Sequence, residues 1–261
     1  MERIRNIPFK KEIMSKTLGG FIFIKDGEKY DYCYQQAVES LLGVCDKVSL
    51  VYFTPTSDWI PSNVLVDERL RVHALSHSIW DAMFGKTKIS HLQNLAAACL
   101  DTDYQLLVQA DEVITPDSYY AIREAMETGG DGFLCERVNL WGSPNTRLVA
   151  PKERQPCSTY VNRLTKRGYW CYDDGENIAS PTTLDFVNRI KIIHYGFVRK
   201  KEVMKAKIIN MQESVFAMGH HDPKLDGSDV FDSTLWFSGN DLAPIDFEHP
   251  DFMQKWVLER M

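Results

Sequence analysis

Apolar runs of strand length alternate with amphipathic helical stretches through the first 140 residues, and this alternation limits the possible folds most strongly. The order is strand, helix, strand, strand, helix, strand, helix, strand. The strand-like runs are GGFIFIKD, KVSLVYF, RLRVHAL, YQLLVQA and GFLCERVNLW, and the helical stretches are YDYCYQQAVESLLGVCD, ISHLQNLAAACL and TPDSYYAIREAMETGG. Such alternation predicts an α/β fold in which helices cover both faces of a mainly parallel sheet.

Beyond about residue 145 the alternation weakens. We expect an irregular loop over residues 143–160, one or two strands that end at His194, and a basic helix from about Lys200. No Pro- or Gly-rich linker divides the chain cleanly. The sequence therefore predicts a single domain over residues 1–261, with a C-terminal extension.

Composition and charge argue against several classes of protein. No apolar run approaches the ~20 residues of a membrane span, and the N-terminus lacks the apolar core of a signal peptide, so a soluble cytoplasmic protein is predicted. The six cysteines lie singly, as expected for buried reduced thiols. The net charge of −6 argues against a surface that binds polyanions as a whole. A local exception is the basic run Arg199–Lys207.

Two adjacent acids, Asp111 and Glu112, follow the apolar run YQLLVQA, and Asp26 and Asp58 also follow strands. Because the carboxyl ends of parallel strands meet at one edge of a sheet, these acids are expected to gather there. Carboxylate oxygens are preferred ligands of hard cations such as Mg²⁺ or Mn²⁺, so the pair predicts a metal site. The alternative is that both acids complement the dipole of the next helix.

The usual phosphate-binding signatures are missing. The chain contains neither GxxxxGK[ST] nor GxGxxG. A nucleotide diphosphate would therefore have to be held through a metal and through side chains.

Several blocks of the sequence, in order, resemble those of family 2 glycosyltransferases of the GT-A fold, from about Gly20 to the end of the chain. The most specific block resembles the acidic motif of that family, D-x-D or, in one subgroup, Q-A-D-E. The resemblance implies a nucleotide-binding half at about 20–145 and an acceptor-side half at about 146–261. The blocks are FIFIKDGEKYDYCYQQAVESLLGVCDKVSLVY, LQNLAAACLDTDYQLLVQADEVI, RVNLWGS, HYGFVRKKEVMKAK and EHPDFMQKWV.

The resemblance also implies an activity. It indicates a hexosyl- or pentosyltransferase whose donor is a nucleotide-diphosphate sugar and whose cofactor is Mn²⁺ or Mg²⁺. The acceptor would be a hydroxyl of a glycan or small molecule, with a nucleic acid as a further alternative.

Individual residues gain roles from the same resemblance. Asp111 would be the principal metal ligand, with Glu112 as a second contact and His194 completing the shell. Arg199 and Lys207 would neutralise the diphosphate. The nucleoside side would be met by Asp26, by Asp58 with Ser57, by Gln93 or Asn94, and by Gln109, which stands where most members have an aspartate near the ribose.

Inversion at the anomeric carbon would require a carboxylate that removes the proton of the acceptor hydroxyl. The segment YDDGEN offers Asp173, Asp174 and Glu176, and Glu136 is a further candidate. We select Asp174. The alternative for the segment is a plain acidic turn.

Two other functions stay open. Gln109 in place of an aspartate, together with the unidentified base, allows a nucleotide-sugar-binding module without turnover. The basic run Arg199–Lys207 allows a glycosyltransferase that acts on a nucleic-acid base and follows its phosphates.

For His194 the alternative is a strand-end histidine with a satisfied hydrogen bond.

Overall fold

The computed structural model describes residues 16–54, 66–149, 158–179, 184–215, 230–231 and 241–261. The strands in these ranges are β1 (Leu18–Ile24), β2 (Lys47–Thr54), β3 (Leu70–Ser76), β4 (Tyr104–Leu107), β5 (Glu112–Ile114), β6 (Gly132–Trp141), β7 (Ser143–Leu148), β8 (Tyr160–Lys166), β9 (Cys171–Tyr172), β10 (Asn177–Ile178), β11 (Asp185–His194) and β12 (Leu242–Pro244). The helices are α1 (Tyr34–Leu42), α2 (His77–Asp81), α3 (Thr87–Ala98), α4 (Ser118–Thr128), α5 (Lys201–Asn210), which continues as a π-helical turn (Met211–Val215), and α6 (Gln254–Leu258).

Ten of the described strands form one sheet. β3, β2, β1 and β4 lie side by side and are parallel. β8 runs antiparallel to β4 and to β6, and β7 and β12 extend the sheet beyond β6. β11 pairs in parallel with β6 and antiparallel with β5. β5, β7 and β8 run in the opposite direction to the other seven strands. Most strands of the sheet therefore run in the same direction.

Helices pack on both faces of this sheet. Along β1, Leu18, Ile22 and Ile24 belong to a core with α1 and α4, whereas Phe21 and Phe23 belong to a core with α3. Successive side chains of a strand point to opposite faces, so one strand contributes to both cores. Each fully buried side chain of this size contributes about 1.5–3 kcal/mol. The predicted α/β class, with helices on both faces of the sheet, is confirmed.

The region predicted as an irregular loop is partly strand, and there the prediction was wrong. Residues 143–148 form β7, and Tyr160 begins β8, which lies between β4 and β6. β8 buries polar side chains: the amide of Asn162 donates to the Ile178 carbonyl (2.8 Å), and Arg163 forms a buried ion pair. A strand buried through hydrogen bonds and charge pairs lacks the apolar pattern that identifies a strand in sequence.

The C-terminal extension packs against the end of β11. The ring of Tyr195 lies 5.3 Å from that of Trp256, and its hydroxyl is hydrogen-bonded to His249 Nδ1 (2.7 Å). The other ring nitrogen of His249 lies 3.0 Å from the Pro144 carbonyl oxygen. Over the described part of the chain, every helix is too short or too polar to cross a membrane.

Candidate functional site

A cavity of about 390 Å³ opens at the carboxyl ends of β1 and β4. Ligand sites of open parallel sheets lie at this edge. Eight of the fifteen candidate residues named from the sequence line it. The aromatic wall consists of Phe23, Tyr30, Tyr32, Trp80, Trp141 and Phe197, and the polar residues include Lys25, Asp26, Gln93, Gln109, Asp111, Arg137, Asp174, Glu176, His194 and Lys207.

The turn between β4 and β5 places Asp111 in the cavity wall. The apolar run ends as a strand at Leu107, and the chain then turns so that the Glu112 N–H donates to the Gln109 carbonyl (3.0 Å). The Asp111 carbonyl accepts a hydrogen bond from the Tyr195 N–H (2.8 Å), just beyond β11. This bond holds the acidic turn beside the C-terminal end of β11.

Three basic side chains face the Asp111 carboxylate. Its Oδ2 lies 2.8 Å from Lys207 Nζ, 3.6 Å from Arg199 Nη2 and 3.8 Å from His194 Nε2. Burial alone would raise the pKa of the Asp111 carboxyl, but the neighbouring positive charges, Lys207 first, outweigh it and hold the pKa well below its usual range. Asp111 is therefore an ionised carboxylate surrounded by basic groups.

The imidazole of His194 is neutral. Burial lowers the pKa of His194 to about 4, against the opposing effect of the Asp111 charge. Nδ1 lies 2.9 Å from Asn139 Oδ1, which can only accept, so Nδ1 carries the proton. Nε2 therefore presents a lone pair on the side of Asp111.

This neutral histidine predicts a loss of stability on acidification. The pKa of His194 in the folded protein lies below its unfolded value of about 6.5, so the unfolded chain takes up the proton first. The free energy of unfolding should fall as pH drops from 6.5 towards 4, and the contribution of His194 between pH 7 and pH 5 is about 2 kcal/mol. Urea unfolding at both pH values measures this loss. A His194→Asn variant should lack it, and the same pH dependence in both proteins would contradict the assignment.

The residues around Asp111 do not fit a divalent metal ion. In the part of the chain that the structure describes, no three His, Cys, Asp or Glu side chains gather as a metal site requires. The oxygen that would bind the metal already lies 2.8 Å from the ammonium of Lys207. One carboxylate faces two cations, Lys207 and Arg199, so this group has a net charge of +1, which opposes binding of another cation.

Glu112 faces away from the cavity, in contrast to its predicted role as a second metal contact. Its carboxylate lies 2.7 Å from Arg163 Nη2 and 3.3 Å from Arg137 Nη1, and it accepts a hydrogen bond from the Gln109 N–H (3.0 Å). Burial raises the pKa of the Glu112 carboxyl, but the two arginines outweigh this effect and keep the pKa lowered. The adjacent acids thus separate, with Asp111 at the cavity and Glu112 in the interior.

Arg137 connects this buried acid to the rim of the cavity. Besides Glu112, its guanidinium binds the Glu176 carboxylate and donates from Nε to the Ser158 carbonyl (2.7 Å). Arg137 and Arg163 were not predicted from the sequence, because no local pattern marks an arginine in a strand as the partner of a distant buried acid. The chain Arg163–Glu112–Arg137–Glu176 alternates in charge and is balanced.

The candidate bases occupy different surroundings. Asp174 lines the cavity. Asp173 lies outside it, 2.6 Å from Lys86 Nζ on the surface. Glu136 is half-buried on β6 and does not line the cavity. Glu176 lines the cavity, but its carboxylate is held by an arginine, so Asp174 is the base candidate that the geometry favours.

Three residues selected for the nucleoside side, Asp26, Gln109 and Gln93, line the cavity. Asp26, two residues after the end of β1, adopts a left-handed backbone conformation (φ 55°), and its carboxylate is bound by Lys25. Gln109 directs its amide towards the Gly175 carbonyl (3.4 Å). Asp58 and Ser57 lie outside the described residues.

Gln93 and Asn94, the two alternatives on α3 for the nucleoside side, lie in different surroundings. The Asn94 side chain makes two hydrogen bonds to the backbone of Cys171. Its Nδ2 donates to the Cys171 carbonyl (2.9 Å), and its Oδ1 accepts from the Cys171 N–H (2.7 Å). Gln93 lines the cavity instead, and its buried Oε1 has no hydrogen-bond partner among the described residues. Asn94 is therefore a packing residue, in contrast to its predicted role.

The two cations assigned to the diphosphate also differ in position. Lys207 lines the cavity. Arg199 is buried behind Tyr32, with its guanidinium carbon 5.0 Å from the ring centroid, and it donates to the Tyr30 carbonyl. Arg199 therefore lies behind the cavity wall and does not line the cavity.

Neither a family model nor a curated protein matches the sequence. Among solved structures, residues 1–349 of S. aureus TarS resemble this chain as the free protein (TM-score 0.39), with UDP (0.38) and with UDP-GlcNAc (0.40). Sequence identity is 11%, and the similarity covers 76% of this chain and 66–67% of the TarS chains. A likeness this distant assigns neither a family nor an activity.

Proposed function

We propose that this protein is a glycosyltransferase that moves a sugar from a nucleoside-diphosphate donor to a hydroxyl acceptor. The proposal rests on the observation that one cavity of about 390 Å³ has both an aromatic wall and a fixed positive charge. Rings such as Phe23 and Trp80 suit contact with a base, and the Lys207 ammonium suits a diphosphate. The volume lies in the range of small-molecule sites.

The proposed reaction is a displacement at the anomeric carbon. The acceptor oxygen forms a bond to this carbon and gives its proton to Asp174, while the bond to the diphosphate breaks and its electron pair leaves with the phosphate. Negative charge therefore grows on the leaving group. Lys207 and, behind the wall, Arg199 stabilise this charge more strongly in the transition state than in the ground state.

A nucleotide-sugar-binding module without turnover is the second candidate. It is favoured by the poor fit of the Asp111 group to the metal ion that the sequence predicted. Both candidates require donor binding, so turnover with an acceptor decides between them.

Thermal unfolding with a panel of UDP-, GDP-, ADP- and dTDP-sugars tests the proposal. The donor should raise the free energy of unfolding by about 2.7 kcal/mol at a hundredfold excess over its Kd. Nucleosides and sugar 1-phosphates should have much smaller effects, because each occupies one part of the cavity. Release of nucleoside diphosphate with hydroxyl acceptors then measures turnover, and the absence of binding by every nucleotide sugar would contradict the proposal.

A further inference from the structure

We infer that the ammonium group of Lys207 takes the place of a divalent ion at the diphosphate site, so that this protein binds nucleoside diphosphates without a metal. The inference rests on the proposed function and specifies how the donor is held. It replaces the metal dependence expected from the sequence.

The first observation is that the Lys207 ammonium is held in place. It lies 2.8 Å from Asp111 Oδ2 and 3.2 Å from the Gly196 carbonyl oxygen, and 5.1 Å from the centroid of the Tyr32 ring. The Lys207 side chain is only 13% exposed. A cation fixed by a carboxylate, a carbonyl and an aromatic face is oriented before a ligand arrives, which reduces the entropic cost of binding.

The second observation is the placement of this lysine on α5. Met204, Lys207, Ile208 and Met211 all line the cavity, and their spacing of three and four residues places them along one side of the helix. The other lysines of the basic run do not line the cavity. One lysine of this run is therefore directed at the site, and the other side chains of this helical segment that line the cavity are uncharged.

The third observation is the charge of the whole group. A site prepared for a divalent ion presents an excess of carboxylates, as Mg²⁺ and Mn²⁺ sites do. Here Asp111 is already balanced by Lys207, and Arg199 adds a further positive charge. The net positive charge suits a diphosphate directly.

Gly196 makes this arrangement possible. A Cβ at this position would clash with the imidazole of His194. With glycine at this position, the His194 ring packs on the backbone, and the Gly196 carbonyl oxygen accepts a hydrogen bond from the Lys207 ammonium. The histidine ring thus packs against the residue whose carbonyl binds the lysine.

Calorimetric binding of UDP, GDP, ADP and dTDP, in EDTA and in Mn²⁺, tests the inference. The nucleotide that binds most tightly to the wild type should bind in EDTA at least as tightly as in Mn²⁺, because Mn²⁺ neutralises part of the charge of the diphosphate. Lys207→Met should weaken binding in EDTA by about 10–100-fold, because it removes a hydrogen bond between charged groups. Lys205→Met is the matched control, since Lys205 lies on the same helix outside the cavity, and it should bind as the wild type does.

Two further measurements distinguish the effect of the Lys207 charge on binding from an effect on folding and from metal binding. Lys207→Arg keeps the positive charge and should retain binding in EDTA better than Lys207→Met at equal thermal stability. Electron paramagnetic resonance should detect no nucleotide-dependent Mn²⁺ binding by the wild type. Lys207→Met should gain such binding, because it frees Asp111 and His194 as ligands.

The possible failures are distinguishable. Wild-type binding that requires Mn²⁺, or Lys207→Met binding equal to wild type in EDTA, would overturn the inference and leave the proposed function intact. If no nucleotide binds in either buffer, the proposed function fails and the inference fails with it.

Discussion

Replacement of Asp174 by asparagine should lower kcat by about 10²–10⁴-fold, the usual contribution of a positioned general base. The change removes the proposed proton acceptor and nearly preserves the shape of the side chain. Donor affinity should stay close to that of the wild type, since the proposed contacts to the diphosphate lie at Lys207 and not at Asp174. Initial rates of nucleoside-diphosphate release over a range of acceptor concentrations measure kcat and KM separately.

The neighbouring residue supplies a matched control. Asp173→Asn makes the same chemical change one position earlier, in a carboxylate that pairs with Lys86 outside the cavity. Asp173 has a left-handed backbone (φ 55°), which asparagine tolerates well. This variant should keep wild-type kcat. Equal losses in both variants would indicate damage to the turn, and an unchanged kcat in Asp174→Asn would exclude it as the base.

Replacement of Arg163 by methionine should lower the free energy of unfolding by about 3–5 kcal/mol, because it leaves Glu112 buried with one of its two arginines missing. For a chain of this size the loss corresponds to a fall in Tm of roughly 6–20 °C. Both partners are fully buried, so solvent cannot replace the lost contact. Urea unfolding and calorimetry measure the effect.

Lys166→Met is the control for this prediction. Lys166 lies three residues later on β8 and forms a partly exposed ion pair with Asp131 (2.6 Å). Loss of this ion pair should lower the free energy of unfolding by about 0–1 kcal/mol, as for other solvent-screened pairs. If Arg163→Met were no more destabilising than Lys166→Met, the buried charge chain would not be a main support of this region.

The alternation of apolar and helical segments was sufficient to predict the parallel part of the sheet. β1, β2, β3 and β4 and the helices α1, α3 and α4 all form near their predicted positions, because each carries an apolar stripe that is visible in sequence. β7 and β8 were missed. Arg163 of β8 is buried by a charge partner 51 residues away, and no local pattern reports such a contact.

The acidic pair shows why the candidate site was only partly predictable. The sequence indicated correctly that the chain turns towards the sheet edge after the apolar run, but it treated Asp111 and Glu112 as one unit. Glu112 belongs to β5, where it pairs with His194 of β11, and its side chain meets Arg163 and Arg137 in the interior. Which acid faces the cavity depends on strand pairing, which is a long-range property.

Arg137 is bound by two carboxylates, and this pairing affects how acceptor preference could evolve in this protein. Glu176 ties the turn that carries Asp174 to a guanidinium whose opposite side is bound to Glu112 inside the sheet. A replacement turn without an acid at the Glu176 position would leave Arg137 with uncompensated charge beneath the new loop. Variation around Asp174 should therefore be tolerated as long as a carboxylate is retained two positions downstream, so this anchor limits which loops can be exchanged.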